Sequence, residues 1–279
     1  MSMKDAITIL QAQTRVSVRK EETLEILGIC CRAAAKEGAD LLALGEMFCC
    51  PYETGSFPLY AEEEGGPLWS RCSQLAAEHG IWLSAGSMPE RGGDGRIYNT
   101  AYVFDREGRQ AAKHRKMHLF DIDVKGGQSF CESATLSPGN EVTVFDTEFG
   151  RMGLCVCYDI RFPELGRLMA LKGARLLLCP ASFNHTTGPA HWELLFRSQA
   201  MFNQVFAVGT APAFDEEASY HSWGHSIVTG PWGEVIGQMD EREGFRLTRL
   251  NLGETGRIRE QLPLLRHRRT DVYTLEETH

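Results

Sequence analysis

The 279-residue sequence lacks several features that mark common classes of protein. It has no apolar run of the ~20 residues that a transmembrane helix needs, and its first residues do not read as a basic segment followed by a hydrophobic one. We therefore expect no signal peptide and no membrane partner. An excess of basic residues is also missing, since the formal net charge is −8. Nucleic-acid-binding domains present a basic face, so we expect no nucleic-acid partner.

The sequence also lacks the signatures of metal and nucleotide sites. It contains no Cys-x-x-Cys pair and no dinucleotide-binding glycine fingerprint, and we expect no metal and no cofactor. The nine cysteines form no disulfide framework, which predicts reduced thiols and a cytoplasmic protein. No linker, repeat or low-complexity tract divides the chain. With 43% hydrophobic residues, residues 1–279 are expected to form a single domain.

Hydrophobic periodicity predicts strands and helices that alternate along the chain, which is typical of a layered α/β fold. The chain opens with a strand at Ala6–Ala12, an amphipathic helix at Lys20–Lys36 and a fully apolar strand at Ala39–Leu44. A hairpin is predicted for Ile97–Phe104 and Arg109–His114. The other predicted elements are helices at Pro67–His79 and Pro189–Phe202, and strands at Ile81–Ser87, Arg175–Cys179, Val205–Thr210, Trp223–Thr229, Glu234–Met239 and Phe245–Leu250. Met47–Gly66 and Leu119–Asn140 show no clear period.

The segment Phe149–Glu164 is the most informative stretch. A short apolar run that reads as a buried strand ends at Cys157, and a helical pattern opens at Pro163 and stops at Gly173. Backbone N–H groups at such a sharp connection favour a thiolate or an oxyanion. Cys157 is therefore either a nucleophile or, as most free cysteines are, a small buried core residue.

Two further polar side chains stand at the ends of predicted strands. Glu46 follows the apolar strand, and Lys116 follows the hairpin; either side chain could instead be a solvated strand end. Groups at the carboxyl ends of strands face one crevice, and a thiol, a carboxylate and an ammonium form a complete acyl-transfer set. The backbone N–H of Tyr158 is the natural second donor to an oxyanion.

Three motifs give the chain a specific resemblance. Gly45-Glu46, the segment His114–Phe120 and the segment Cys157–Glu164, in this order, resemble the carbon–nitrogen hydrolases of the nitrilase superfamily. The resemblance covers nearly the whole chain. It implies a four-layer α-β-β-α sandwich and a homodimer that pairs through outer helices.

The resemblance also assigns roles. It implies that Glu46 is the general base, Lys116 the oxyanion lysine and Cys157 the nucleophile. A further carboxylate of the family, which helps to orient these groups, falls on Glu132. The family usually has proline before the glutamate, where this chain has Gly45, and glycine would loosen the backbone at that point.

Within the superfamily the sequence is most similar to the omega-amidase branch. The similarity is carried by residues 119–124, 135–139, 186–193 and 222–226. It implies hydrolysis of the terminal amide of a small 2-oxo acid monoamide, such as 2-oxoglutaramate or 2-oxosuccinamate, to the diacid and ammonia. Two alternatives stay open: an amidase that acts on deaminated glutathione, and a non-catalytic binding module of the same fold.

Four residues are candidates for substrate binding. Arg161 could grip the free carboxylate of a monoamide in a bidentate fork, or it could form a structural salt bridge with Glu164 or another acid. Tyr52, Thr186 and Thr187 lie in loops that are expected to shape the pocket, and each could equally be a structural loop residue.

Histidines allow two rival arrangements. A papain-like site would pair Cys157 with His191 or His225, but it would leave Glu46 and Lys116 without a role. His221 and His225 are four residues apart, a spacing that a zinc site on a helix would use but that does not suit a strand.

Overall fold

The computed structural model describes residues 4–278, which contain fourteen strands and six α-helices. The strands are β1 Ala6–Gln13, β2 Leu41–Ala43, β3 Trp82–Arg91, β4 Ile97–Phe104, β5 Gln110–Arg115, β6 Asp121–Asp123, β7 Ser129–Cys131, β8 Thr143–Thr147, β9 Gly150–Leu154, β10 Leu176–Pro180, β11 Phe206–Thr210, β12 Ile227–Thr229, β13 Val235–Gln238 and β14 Gly244–Asn251. The helices are α1 Lys20–Lys36, α2 Phe57–Tyr60, α3 Pro67–His79, α4 Pro163–Leu171, α5 Gly188–Asn203 and α6 Gly253–Gln261, and two 3₁₀ turns span Glu132–Ala134 and Cys157–Arg161.

The strands form two six-stranded sheets and one small hairpin. The first sheet has the order β14-β1-β2-β3-β4-β5, the second has the order β13-β12-β11-β10-β9-β8, and β6 pairs only with β7. Strands β1, β2 and β3 are parallel, as are β9, β10 and β11, whereas the outer strands are antiparallel. Parallel strands must be covered on both faces, which explains the apolar sequences of the central strands β2 and β10.

Strand β1 shows how the layers are built. Ile7 and Ile9 belong to the core between the two sheets, whereas Leu10 and Ala12 belong to the core beneath the helices. Gln11 also points between the sheets, where its Nε2 donates a hydrogen bond of 2.8 Å to the carbonyl of Gly209 in the second sheet. Because successive side chains of β1 point to opposite faces of the sheet, this strand contributes to two separate cores.

Helices cover the outer face of each sheet. Leu27 of α1 and Leu75 of α3 pack in the core on the outer face of the first sheet, and Met169 of α4 and Phe196 of α5 pack in the core with the second sheet. This arrangement confirms the expected four-layer α-β-β-α sandwich. Within residues 4–278, no helix combines the length and the hydrophobicity that spanning a membrane requires.

The observed elements match most of the predicted ones. Helices α1 and α3 have the predicted bounds, and Gly38, with a φ of 67°, follows the end of α1. The hairpin β6–β7 lies in a segment predicted to have no regular structure, and β8 was not predicted. The two ends of the expected single domain, residues 1–3 and 279, lie outside the described residues.

Candidate active site

Four chemically active side chains stand where strands end. Glu46 follows β2, Lys116 follows β5, Glu132 begins the 3₁₀ turn after β7, and Cys157 begins the 3₁₀ turn after β9. Glu46, Lys116 and Glu132 are fully withdrawn from solvent, and Cys157 is 3% exposed. Charged side chains that are buried this completely are normally paired with one another.

Lys116 is the centre of the cluster. Its Nζ lies 3.0 Å from Oε1 of Glu46 and 2.9 Å from Oε1 of Glu132. The hydroxyl of Tyr52 lies 3.3 Å from the same Nζ and donates a hydrogen bond of 2.6 Å to Glu132. The structure therefore brings Tyr52, one of the candidate pocket residues, into direct contact with the buried charges.

Glu46 is held by donors from several elements. Its Oε1 accepts a hydrogen bond of 2.8 Å from Nδ2 of Asn99 on β4, and its Oε2 accepts one of 2.8 Å from the backbone N–H of Ser182. These donors hold the carboxylate of Glu46 independently of the backbone freedom of Gly45. A side chain at Gly45 would approach the backbone nitrogen of Pro212 to 2.7 Å, so close packing restricts the glycine that was expected to loosen Glu46.

The connection around Cys157 is tighter than the sequence predicted. Strand β9 ends at Leu154, not at Cys157, and Cys157 has a φ of 47°, a value that non-glycine residues rarely adopt. The apolar run from Cys155 to Cys157 is typical of a strand, which explains the error. Tyr158 is in the first turn of the 3₁₀ helix, where backbone N–H groups have no acceptor within the helix.

The charges of the cluster follow from burial and proximity. Burial and the Glu46 carboxylate raise the pKa of the Cys157 thiol well above its ordinary range, and Lys116 offsets only part of this effect. This shift runs against the predicted preference for the thiolate, although Lys116 itself acts in the predicted direction. The raised pKa favours the protonated thiol, which needs a base before it can attack.

Glu46 and Lys116 have complementary properties. Burial and the neighbouring Glu132 raise the pKa of Glu46, although Lys116 lowers it, and a carboxylate with a raised pKa is suited to accept a proton. Burial alone would lower the pKa of Lys116, but Glu132 and Glu46 outweigh it and raise the pKa well above its usual value. These shifts favour the ammonium form of Lys116 beside a carboxylate that is suited to accept a proton.

Arg161 lies beside this cluster without an acidic partner. Among residues 4–278 it forms no salt bridge with Glu164 or another acid, contrary to the predicted structural alternative, and its Nε is buried without a hydrogen-bond partner. Its Nη1 lies 2.9 Å from Nδ1 of His191, and its guanidinium lies over the ring of Phe183 at 4.5 Å. Burial lowers the pKa of Arg161 below its ordinary value, and the neighbouring Cys157 and Tyr158 offset only part of this effect.

The two candidate threonines are placed differently. Thr186 is exposed, and Thr187 is half-buried at the start of α5. Both backbone N–H groups donate hydrogen bonds to Oδ1 of Asn184, at 3.0 and 2.9 Å. Across the described part of the chain, no hydrogen bond joins either threonine to the buried charges.

The rival histidine arrangements receive no geometric support. His191 contacts Arg161, and Nδ1 of His225 lies 2.6 Å from the carbonyl of Trp223, on whose ring it stacks. In residues 4–278, no group of three or more His, Cys, Asp or Glu side chains is arranged to hold a metal ion.

Several residues that support the cluster were not predicted from the sequence. Asn99 lies within a mainly apolar strand, and a buried amide side chain at such a position is a signal that could have been read. The contribution of Ser182 comes from its backbone, which no side-chain pattern reveals. Tyr220 also supports the cluster. Its hydroxyl donates a hydrogen bond of 2.6 Å to the carbonyl of Ser182, and its ring packs on Tyr52.

The fold places the chain among the hydrolases of the nitrilase superfamily. The crystal structure of Saccharomyces cerevisiae Nit3, described as a member of branch 10 of that superfamily, aligns with a TM-score of 0.88 and 36% identity over 96% of this chain and 98% of Nit3. The sequence profile of the carbon-nitrogen hydrolase family matches residues 6–260.

The chain belongs to the carbon-nitrogen hydrolase family. It is 48% identical to omega-amidase NIT2 of Xenopus tropicalis over 265 residues, which are 95% of this chain and 96% of that protein. It is 46% identical to omega-amidase NIT2 of Mus musculus over 264 residues, or 95% of each chain. The protein is therefore a hydrolase of carbon–nitrogen bonds other than peptide bonds.

Proposed function

We propose that this protein hydrolyses the terminal carboxamide of a small 2-oxo acid monoamide, of the 2-oxoglutaramate or 2-oxosuccinamate type, to the diacid and ammonia. The observation that carries the proposal is the contact of Lys116 with Glu46 and Glu132 beside the thiol of Cys157. The names of the relatives support the choice of reaction, since they are omega-amidases. No cofactor is needed for this chemistry.

In the first half of the reaction, Glu46 takes the proton of the Cys157 thiol as the sulfur attacks the amide carbon. A carbon–sulfur bond forms, and the oxyanion receives hydrogen bonds from Lys116 and from the backbone N–H of Tyr158. Glu46 then passes its proton to the nitrogen, the carbon–nitrogen bond breaks, and ammonia leaves. A thioester on Cys157 remains.

In the second half, water replaces ammonia. Glu46 takes a proton from the water as its oxygen attacks the thioester carbon, and the same donors bind the second oxyanion. The carbon–sulfur bond breaks, Glu46 returns the proton to the sulfur, and the new carboxylic acid loses its remaining proton to solvent. Glu132 holds Lys116 in place through both steps.

The substrate class follows from Arg161. A half-buried guanidinium with a buried, unpartnered Nε and no carboxylate partner favours an anionic ligand, and it binds a carboxylate in a bidentate fork. A monoamide of a diacid carries such a carboxylate at the end opposite to its amide. Tyr52, Thr186 and Thr187 are proposed to line the rest of the pocket.

We also propose that residues 1–279 act as a single cytoplasmic domain that forms a homodimer through its outer helices. Large apolar side chains are exposed on α4 and α5, including Leu171, Leu194 and Phe202. All nine cysteines are free, as expected for a reducing compartment.

The proposal is tested by ammonia release from a panel of compounds: 2-oxoglutaramate, 2-oxosuccinamate, deaminated glutathione, glutamine and a simple nitrile. We expect 2-oxoglutaramate to give a higher kcat/KM than deaminated glutathione. The reverse preference would assign the protein to the neighbouring branch. Absence of ammonia from every compound would favour a binding module.

A further inference from the structure

The carboxylate of Asp159 closes the turn that carries Cys157. Asp159 lies in the 3₁₀ turn two residues after Cys157, and it is 1% exposed. Its Oδ2 accepts a hydrogen bond of 2.9 Å from the backbone N–H of Val156, and its own N–H donates one of 3.0 Å to the carbonyl of Val156. These two bonds close a turn that contains Cys157 and Tyr158.

The same carboxylate also binds both sides of the segment that carries Lys116. Oδ2 accepts from Nε2 of His114 at 3.0 Å, and Oδ1 accepts from the backbone N–H and from Nδ1 of His118, at 2.9 and 2.8 Å. His114 and His118 stand two residues before and two residues after Lys116. One side chain therefore receives donors from the segments of both proposed catalytic groups.

The network is charged and anchored at its far ends. Burial raises the pKa of Asp159, but hydrogen bonds from His114 and His118 outweigh this effect and hold the pKa well below its ordinary range. An ionised carboxylate only accepts, so both ring nitrogens that face it are donors. Nδ1 of His114 lies 2.9 Å from Oγ1 of Thr143, and the ring of His118 stacks on Phe162 at 3.6 Å.

The backbone at Cys157 needs such support. A non-glycine residue with a positive φ costs of order 1–3 kcal/mol and persists only where its surroundings determine it strongly. We infer that Asp159 is a positioning residue, whose carboxylate holds the strained turn of Cys157 at a fixed distance from Lys116. This inference rests on the proposed role of Cys157 as the nucleophile.

The test is Asp159→Asn, which keeps the size of the side chain but replaces one acceptor oxygen with an NH₂ group that faces donors. A displacement of about 1 Å at a reacting atom costs about 10²-fold in rate. We expect kcat for 2-oxoglutaramate, and the rate at which iodoacetamide alkylates Cys157, each to fall about 10- to 100-fold. KM should change less than twofold, since Asp159 is not proposed to contact the substrate.

Two further variants separate positioning from general stability. Gln11→Met removes a buried hydrogen bond between the sheets and should lower the thermal midpoint without changing kcat or alkylation. His118→Phe keeps the stacking on Phe162 and the backbone donor but removes the ring N–H, and it should lower kcat and the alkylation rate about tenfold. If Asp159→Asn does not fold, His118→Phe alone tests whether Asp159 positions Cys157.

Wild-type kcat and alkylation in folded Asp159→Asn, or in His118→Phe where Asp159→Asn fails to fold, would overturn the inference. Failure of the proposed function looks different. In that case the wild type itself would release no ammonia that depends on Cys157, while the alkylation rates would still report whether Asp159 positions the thiol.

Discussion

Nζ of Lys116 lies 2.8 Å from Oε2 of Glu132, and both side chains are completely buried. Oε2 also accepts a hydrogen bond of 2.6 Å from the backbone N–H of Phe120, and Oε1 accepts from Tyr52. Every lone-pair direction of this carboxylate therefore faces a donor. The contact indicates that Glu132 fixes the position of the ammonium.

We predict that Glu132→Gln folds but loses at least ~10²-fold in kcat, on the scale of losing a positioned catalytic group. The amide NH₂ of glutamine must point at a donor, which displaces Lys116. Alkylation of Cys157 by iodoacetamide should persist, because the nucleophile is intact. The measurements are kcat and the thermal midpoint: an unchanged kcat removes Glu132 from the site, and a collapsed midpoint makes its role structural.

Lys116→Ala and Lys116→Arg are both expected to reduce kcat by ~10²–10³-fold or more, the loss that follows removal of one oxyanion donor. Arginine keeps the charge but is planar and larger than the compact ammonium that fits between Glu46 and Glu132. Steady-state kinetics of the two variants provide the check. Near-normal activity in Lys116→Arg would show that only the charge matters.

Arg161→Met should weaken the binding of substrates that carry a second carboxylate. Loss of a charged hydrogen-bonding partner is worth about 1.5–3 kcal/mol, so KM for 2-oxoglutaramate should rise roughly 10- to 100-fold. A neutral aliphatic amide, which has no carboxylate for Arg161 to bind, serves as the matched control. An equal change for both compounds would show that Arg161 acts on the fold or on the chemical step.

Glu46, Lys116 and Cys157 could be proposed from the sequence because they follow recognisable strands, whereas Glu132 was found only through the family resemblance. The sequence did not reveal what holds these side chains in place. Helix α1 had the predicted bounds because apolar spacing, charge and Gly38 agree along it. The hairpin β6–β7 was missed because its two strands are three residues long and bear polar ends, so no period develops. The hydrogen bond from Asn99 to Glu46 depends on sheet register, which local patterns do not encode.

Gly45 shows the same limit in a form that can be tested. The glycine was expected to loosen Glu46, but an added Cβ would lie 2.7 Å from the nitrogen of Pro212 and 2.8 Å from the carbonyl carbon of Ala211. Gly45→Ala should therefore destabilise the protein by about 1–3 kcal/mol, as measured by chemical unfolding. Gly55→Ala is the control, because nothing lies within 4 Å of a Cβ at that position. Equal stability of the two variants would contradict the packing argument.

Cys155 provides an internal control for the nucleophile. It is buried one residue before Val156, its Sγ lies 3.9 Å from the carbonyl of Leu178, and it interacts with Cys179 on the neighbouring strand. These contacts lie away from Lys116 and Glu46. We therefore expect Cys155→Ala to keep most of the turnover and Cys157→Ala to lose it.

The most direct test of the proposed reaction is to trap the acyl-enzyme. Wild type, Cys155→Ala and Cys157→Ala are mixed with 2-oxoglutaramate, quenched in acid during turnover and examined by peptide mass spectrometry while ammonia is measured in parallel. The proposal predicts a substrate-derived acyl group on Cys157 in the first two proteins, and neither acyl group nor ammonia in Cys157→Ala. Ammonia release at the wild-type rate by Cys157→Ala, or an acyl group on Cys155, would contradict it.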